Sequence, residues 1–180
     1  MAAICAGSMI ERMSRTGSSS PAAHAVLVAG GGVAGLETLL ALRELAAELV
    51  DLELVAPETH FWYRPLSVAE PFGLGEAQPF ELAGIAEACS ARFTLGGIAS
   101  VDAGSHLVLT GAGAEMQYDS LVLAFGARPE PMLPGAFTFR GPADSRAYRR
   151  ALDRLERGAR LCFTLPPGQT WPCRSTSSRC

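Results

Sequence analysis

One glycine-rich turn constrains this chain more than any other feature. Gly30-Gly31-Gly32 follows the apolar run AVLVA (25–29) directly, and Val33-Ala34-Gly35 completes a Gly-x-Gly-x-x-Gly spacing. A short β-branched run of this kind reads as a buried parallel strand. Beyond the turn, ETLLALRELAAEL (37–49) has helical period, with Leu36, Leu39, Leu40, Ala46 and Leu49 expected on one face. LELVA (52–56) reads as a second strand, closed by Pro57. Strand, glycine turn, helix and strand in this order make a βαβ unit. In such a unit the first glycine, Gly30, allows the tight turn. The second, Gly32, lets backbone approach a pyrophosphate, and the third, Gly35, lets helix pack close to strand. The N–H groups opening the helix, at Val33, Ala34 and Gly35, would face the phosphates. A dinucleotide is therefore the expected ligand, with a ligand-free glycine turn as the alternative. The acid for the ribose hydroxyls should follow the second strand, about 20 residues on. Glu58 fits that place, whereas Glu53 lies inside the strand.

Composition narrows the class. The 180 residues are 48% hydrophobic and 18% charged, which suits a globular domain rather than a disordered chain. A net charge of −3 removes the electrostatic case for nucleic-acid binding. No apolar run approaches a membrane span, and the N-terminus lacks positive charge ahead of its apolar patch, so it is a poor secretory signal. A cytoplasmic α/β domain is expected. The five cysteines form neither a CxxC pair nor a zinc spacing, and His24, His60 and His106 are scattered, so no metal site is expected. All 15 basic residues are Arg, and Lys and Asn are absent, which points to GC-rich coding DNA.

Residues 1–23 read as a disordered leader rich in Ser, Gly and Pro. After the βαβ unit comes an aromatic, proline-punctuated segment, 57–79. A helix is expected at 80–89. Short strands at 92–95, 98–102, 107–110 and 116–118 would form a β-meander, followed by a buried strand at 120–124 that ends at Phe125-Gly126. Residues 144–160 read as an Arg-rich linker helix whose charged face is solvated, and 161–165 would open another strand.

Two stretches resemble the pyridine nucleotide-disulfide oxidoreductase superfamily. They are VLVAGGGVAGLETLLAL (26–42) and YDSLVLAFGARP (118–129); the second is similar to that family's YDxLVLATGxxP motif, with Phe125 where Thr is usual. HFWYRPL (60–66) followed by VAEPFG (68–73) is similar to the corresponding loop of type II NADH dehydrogenases and sulfide:quinone reductases. The resemblance implies a Rossmann-like FAD-binding domain over 24–143: a parallel sheet with an inserted meander, ending before the family's second dinucleotide-binding domain. It implies FAD with its pyrophosphate over Gly32, Val33, Ala34 and Gly35. It also implies an adenine contact near Ile98 and contacts from Ala124, Phe125 and Gly126, with Arg64 and Pro65 on the flavin side. NAD(P)H would be used only by the second domain of a longer parent. Electrons would pass to or from a small molecule such as a quinone, with at most peripheral contact at the inner face of a membrane and a homodimeric parent. No nucleic acid is expected as a partner.

The pattern departs from the family in three ways. Ala56 stands where the ribose-binding acid usually sits, so Glu58 must reach back or water must substitute. No CxxxxC pair follows the first helix, which argues against dithiol–disulfide chemistry. The family's NAD(P)H domain, its Gly-Asp motif and its C-terminal domain would all lie beyond residue 180, with 161–180 the truncated start of the second domain. The tail, 173–180, reads as a one-base frameshift of codons for LPLYELAL, with a genuine short tail as the alternative. Two alternatives accompany the oxidoreductase reading: a dinucleotide-binding fragment without turnover, and the NAD-binding domain of a dehydrogenase, which the meander disfavours.

Overall fold

The computed structural model describes residues 3–6, 23–127, 130–131 and 133–163. The chain opens with β1 (Ala3–Ala6), β2 (His24–Ala29), α1 (Val33–Ala46) and β3 (Val50–Ala56). The aromatic segment holds β4 (His60–Trp62), α2 (Arg64–Ser67), a single 3-10 turn (Glu70–Phe72) and β5 (Pro79–Glu81). Then follow α3 (Leu82–Ala88), β6 (Ala91–Leu95), β7 (Ile98–Asp102), β8 (Leu107–Thr110) and β9 (Glu115–Gln117). Last come β10 (Ser120–Leu123) and α4 (Pro142–Asp153).

A five-stranded sheet in the order β1-β10-β2-β3-β6 organises the molecule. Its inner pairs are parallel, in register Leu121↔Leu27, Leu27↔Glu53 and Leu54↔Phe93, while β1 adds antiparallel to β10. Both faces are covered. Val26, Val28, Leu52, Leu54 and Ala56 pack on Leu36 and Leu39 of α1 and Leu82 of α3. Leu27, Ala29, Val55 and Leu121 pack on Val108, Met116 and Tyr118 of the meander side. Double coverage explains why 25–29 of β2 and 54–56 of β3 read as unbroken apolar runs, whereas Asp51 and Glu53 alternate with apolar residues where β3 is less covered. Complete burial of Leu39 and Leu54 is worth about 2 kcal/mol each in transfer free energy. Where β3 and β6 reach solvent, Arg92 spans Asp51 at 2.9 Å and Glu53 at 3.1 Å. The bonds to Asp51 first, and then Glu53, raise the Arg92 pKa above its ordinary value.

The mixed α/β architecture expected from the sequence is what the chain adopts, with several elements displaced. Within the expected leader, residues 3–6 form an edge strand, because β10 offers an open row of backbone donors and acceptors. The strand expected to begin the meander, β6, instead pairs with β3 in the parallel sheet. Gly96 and Gly97 then carry the chain across to a meander of only three strands, β7-β8-β9. The helix expected at 80–89 is shortened to α3 because Pro79–Glu81 pairs with His60–Trp62. On α1 the buried residues are Gly35, Leu36 and Leu39, whereas Leu40 is 53% exposed and Leu49 lies beyond the helix. Helix α4 starts at Pro142 rather than 144 and ends at Asp153 rather than 160. Pro supplies a favourable first helical position, and Asp144 accepts from the Arg140 backbone N–H at 2.8 Å. Residues 161–163 are irregular rather than a strand. The expected tail at 173–180, Trp171, and most of the leader lie outside the described residues.

Candidate functional site at the carboxyl ends of the sheet strands

The turn after β2 is held by backbone packed against backbone. Gly30 has φ +122°, a left-handed value that disfavours a side chain, and its N–H donates to the Val55 carbonyl at 2.8 Å. A Cβ there would collide with the Ala124 carbonyl oxygen and lie 3.2 Å from the Phe125 nitrogen. At Gly35 a Cβ would strike the Gly30 carbonyl oxygen, so α1 can lie against the turn only with glycine at that position. Gly32 is the contrast, since a Cβ there meets nothing within 4 Å. Two glycines serve the fold, and the third faces open space.

That open space lies at the start of α1. Gly32 is the N-cap and offers no side-chain acceptor, and the first intrahelical bond runs from Leu36 N–H to Gly32 C=O at 3.0 Å. The first-turn N–H groups at Val33, Ala34 and Gly35 therefore have no intrahelical acceptor. Their partial positive charge, with the macrodipole behind it, favours an anion.

The other expected residues divide into two groups. Ala124 adjoins the turn: its N–H donates to the Ala29 carbonyl at 2.8 Å, and a Cβ on Gly35 would sit 3.7 Å from its methyl group. Phe125 is 62% exposed just beyond it, and Gly126 has φ +71°. Ile98 packs against the cluster that contains Ala29 and Val55, at the same end of the sheet. Gly96 N–H meets the Ala56 carbonyl at 2.8 Å, and Gly97 lies against Pro57. Glu58 is exposed two residues beyond the end of β3, whereas Ala56 is fully buried, with its Cβ 3.1 Å from a Cβ built on Gly31. These residues gather around the carboxyl ends of β2, β3 and β10, where open α/β sheets bind ligands.

Arg64 and Pro65 open α2 and belong to a separate wall. Arg64 lines a cleft of about 640 Å³ with Trp62, Arg140, Gly141, Pro142 and Asp144. A neighbouring cleft of about 620 Å³ shares Trp62 and Pro142 and adds Glu70 and Glu76. Sequence reasoning missed Arg140, Glu70 and Gly31. Gly31 is confined because a Cβ there would run into Leu82, a contact with no local sequence signal. Arg140 is brought in from far along the chain, just ahead of α4, and Glu70 comes from the 3-10 turn that follows α2.

A parallel sheet with a glycine turn at its switch point, helices on one face and a meander on the other defines a Rossmann-like dinucleotide-binding fold. Within that class the chain belongs to the pyridine nucleotide-disulphide oxidoreductase family, whose sequence profile matches residues 24–162. It is a family of FAD-dependent oxidoreductases with NAD(P)H use. The type II NADH:quinone oxidoreductase Ndh of Mycobacterium tuberculosis is 30% identical over 113 residues, which is 59% of this chain and 24% of that protein. The sulfide:quinone oxidoreductase of Aquifex aeolicus superposes with a TM-score of 0.65 at 23% identity, covering 73% of this chain and 32% of that one. The ferredoxin reductase of the CYP199A2 system of Rhodopseudomonas palustris superposes with a TM-score of 0.58 at 27% identity, covering 72% and 34%. The chain thus spans about a quarter to a third of the length of these relatives. No helix among the described residues is long and apolar enough to cross a membrane.

Proposed function

We propose that this chain is the FAD-binding part of an FAD-dependent oxidoreductase that passes electrons through the flavin to a small-molecule acceptor, a quinone in our reading. The observation that supports it best is the asymmetry of the glycine turn. Gly30 and Gly35 are consumed by close packing, while Gly32 opens an uncapped helix start to empty space. A pyrophosphate fits that combination of room and donors. In this reading the N–H groups of Val33, Ala34 and Gly35 donate to the phosphates. Glu58 turns back to accept the ribose hydroxyls, because Ala56 has no polar atom to offer. Backbone at Ile98 takes the adenine, and Ala124, Phe125 and Gly126 line the path toward the flavin. Arg64 and Pro65 flank the flavin side, where the guanidinium favours electron-rich states of a bound group. When bound, FAD supplies the electron transfer, and the protein supplies position and electrostatics. The quinone reading draws on the acceptor named for the mycobacterial relative, and peripheral contact with the inner face of a membrane would accompany it.

Protein incubated with excess FAD and then desalted is expected to retain visible absorption at roughly 450 nm. A colourless protein that takes up neither FAD nor NAD overturns the reading. Retention of NAD alone moves it to a dehydrogenase-type domain. For the acceptor, flavin reduced on the protein without oxygen is expected to reoxidise on addition of a soluble quinone. Flavin that stays reduced removes the quinone and leaves the cofactor assignment standing.

A further inference from the structure

We propose that Glu70 is a positioning residue, a latch that ties the α2 segment to α4 and so holds the two walls of the Trp62–Arg64–Arg140 cleft at a fixed spacing. Its carboxylate joins three pieces of chain. One oxygen accepts the Ala77 backbone N–H at 2.8 Å, and the other accepts the hydroxyl of Ser145, which is only 9% exposed on the first turns of α4. Glu70 itself opens the 3-10 turn that continues α2.

On the α2 side, the tie reaches Arg64 through a run of backbone bonds. Leu66 N–H meets the Tyr63 carbonyl, Ala69 N–H that of Leu66, Phe72 N–H that of Ala69, and Gly73 N–H that of Glu70, each at 3.0–3.2 Å. The fully buried Ser67 donates to the Arg64 carbonyl at 2.6 Å. Residues 63–73 therefore shift as one piece. On the other side, Ser145 lies in the helix whose start presents Arg140. Arg140 is fixed there by Asp144, which accepts from both its backbone N–H and its Nε. The walls approach closely where Arg64 Cγ lies 4.0 Å from a Cβ built on Gly141.

Two further contacts join the same elements: Arg149 donates to the Pro71 carbonyl at 2.9 Å, and Tyr148 meets the Phe72 ring edge-on at 6.4 Å between centroids. Neither replaces Glu70. The carboxylate joins both ends of the 70–77 segment, through Glu70 itself and Ala77, to the buried Ser145 of α4. Loss of one partner from a charged, part-buried hydrogen-bonded group is costly, equivalent to roughly tenfold or more in an equilibrium constant.

The latch stands on contacts within this chain, and its consequence for FAD rests on the reading given under Proposed function. The test separates the two. Trp62 lines both clefts, and the chain has only two tryptophans, so a Trp171→Phe background leaves Trp62 as the sole reporter. In that background Glu70→Ala is expected to increase acrylamide quenching of Trp62 about twofold and to speed amide exchange across 70–77 and 140–149, with the β2 and β3 amides unchanged. Gln keeps an acceptor for Ala77 and gains a donor for the Ser145 oxygen, so Glu70→Gln is expected to restore most of the protection. Ser145→Ala, which leaves the turn intact, should loosen α4 in part. The FAD dissociation constant should rise about tenfold in Glu70→Ala and return to within about threefold of the parent in Glu70→Gln.

Unchanged quenching and exchange in Glu70→Ala overturns the latch. Loosened exchange with an unchanged FAD constant overturns its positioning role. If the parent protein binds no FAD while the quenching and exchange changes appear, the latch is supported and the flavin reading fails. Exchange lost throughout β2 and β3 would make Glu70 a general stability residue and would also overturn the proposal.

Discussion

At the end of β2 the chain is held by backbone meeting backbone, whereas across the cleft between α2 and α4 it is held by side chains meeting at their tips. In the first region Gly30, Gly35 and Ala124 leave no room for a single added carbon. In the second, Glu70, Ser145, Arg149 and Tyr148 reach across a part-buried seam, and a Cβ built on Gly141 would still stand 4.0 Å from the stem of Arg64. The first kind of region is rigid and intolerant because main-chain atoms cannot move without moving whole elements. The second adapts to substitution and can set a spacing rather than a fold. A cofactor spread over both would take its anchoring from the first and its fine alignment from the second.

The sharpest way to break this contrast is a methyl group at Gly35. The Gly35→Ala methyl meets the Gly30 carbonyl, so α1 must lift from the sheet and uncover Leu36 and Leu39. We expect a loss of about 3 kcal/mol, read as a lowered urea midpoint. A midpoint equal to that of the parent would mean the turn is far softer than its packing implies.

On the cleft side, the equivalent test is Tyr148→Ala. The Tyr148 ring gathers Phe72, Phe137 and Phe139, with centroid separations of 6.4, 5.2 and 5.7 Å. Removing it should cost about 2 kcal/mol. Here the loss should be local: α4 amides exchange faster while those of β2, β3 and β10 do not. Cooperative loosening of the whole sheet would erase the distinction between the two regions.

Gly32 divides the turn itself. A methyl there meets nothing in the protein, so Gly32→Ala should leave stability within about 1 kcal/mol of the parent. The same methyl occupies space that our reading gives to the pyrophosphate, and FAD affinity should fall about tenfold. Titration with FAD, run beside urea denaturation, checks both halves. Unaltered affinity would shift the phosphates away from this turn.

The two regions also differ in how far they are legible in the sequence. Gly30 and Gly35 are readable because a backbone constraint leaves a local mark, since only glycine satisfies it at that spacing between strand and helix, and Gly32 is readable from the same spacing although a side chain would fit there. Ala124-Phe125-Gly126 is legible only through the resemblance to a family motif, and of the three only Gly126 has a left-handed backbone, at φ +71°. Gly31 escaped because its confinement comes from Leu82, a contact made through α3. The strand expected at 92–95 falls to the parallel sheet rather than the meander because a short, mixed segment such as ARFTL does not say which neighbour it pairs with. In the cleft, only Arg64 is legible in the sequence, through the resemblance. Arg140, and Glu70 in the neighbouring cleft, are ordinary charged residues in sequence, and their segments meet only because α4 returns some 75 residues later to the 3-10 turn (Glu70 to Ser145). Helix α4 itself ended early because its Arg-rich continuation has no apolar stripe to bury, so periodic charge alone did not extend it.

The smallest effect we expect lies outside both regions, in the turn between β7 and β8, and it calibrates what a purely local contact does. The Asp102 pKa is lowered by hydrogen bonding to the Ser105 side chain first, and then by the Ser105 and Gly104 backbone N–H groups. The two backbone bonds measure 3.2 and 2.9 Å. A carboxylate whose folded pKa is depressed contributes to the turn above its ordinary value of 3.8 and loses that contribution as pH falls through the lowered value. The Gly104 and Ser105 amide shifts should therefore titrate together with a midpoint below 3.8, and Asp102→Asn should flatten both curves. Amides of the glycine turn and of α4 should not follow that titration, since Asp102 touches neither element. A matching midpoint at Gly32 or Arg140 would mean the meander is coupled to the site, and the division between a rigid turn and an adjustable cleft would then need a third partner.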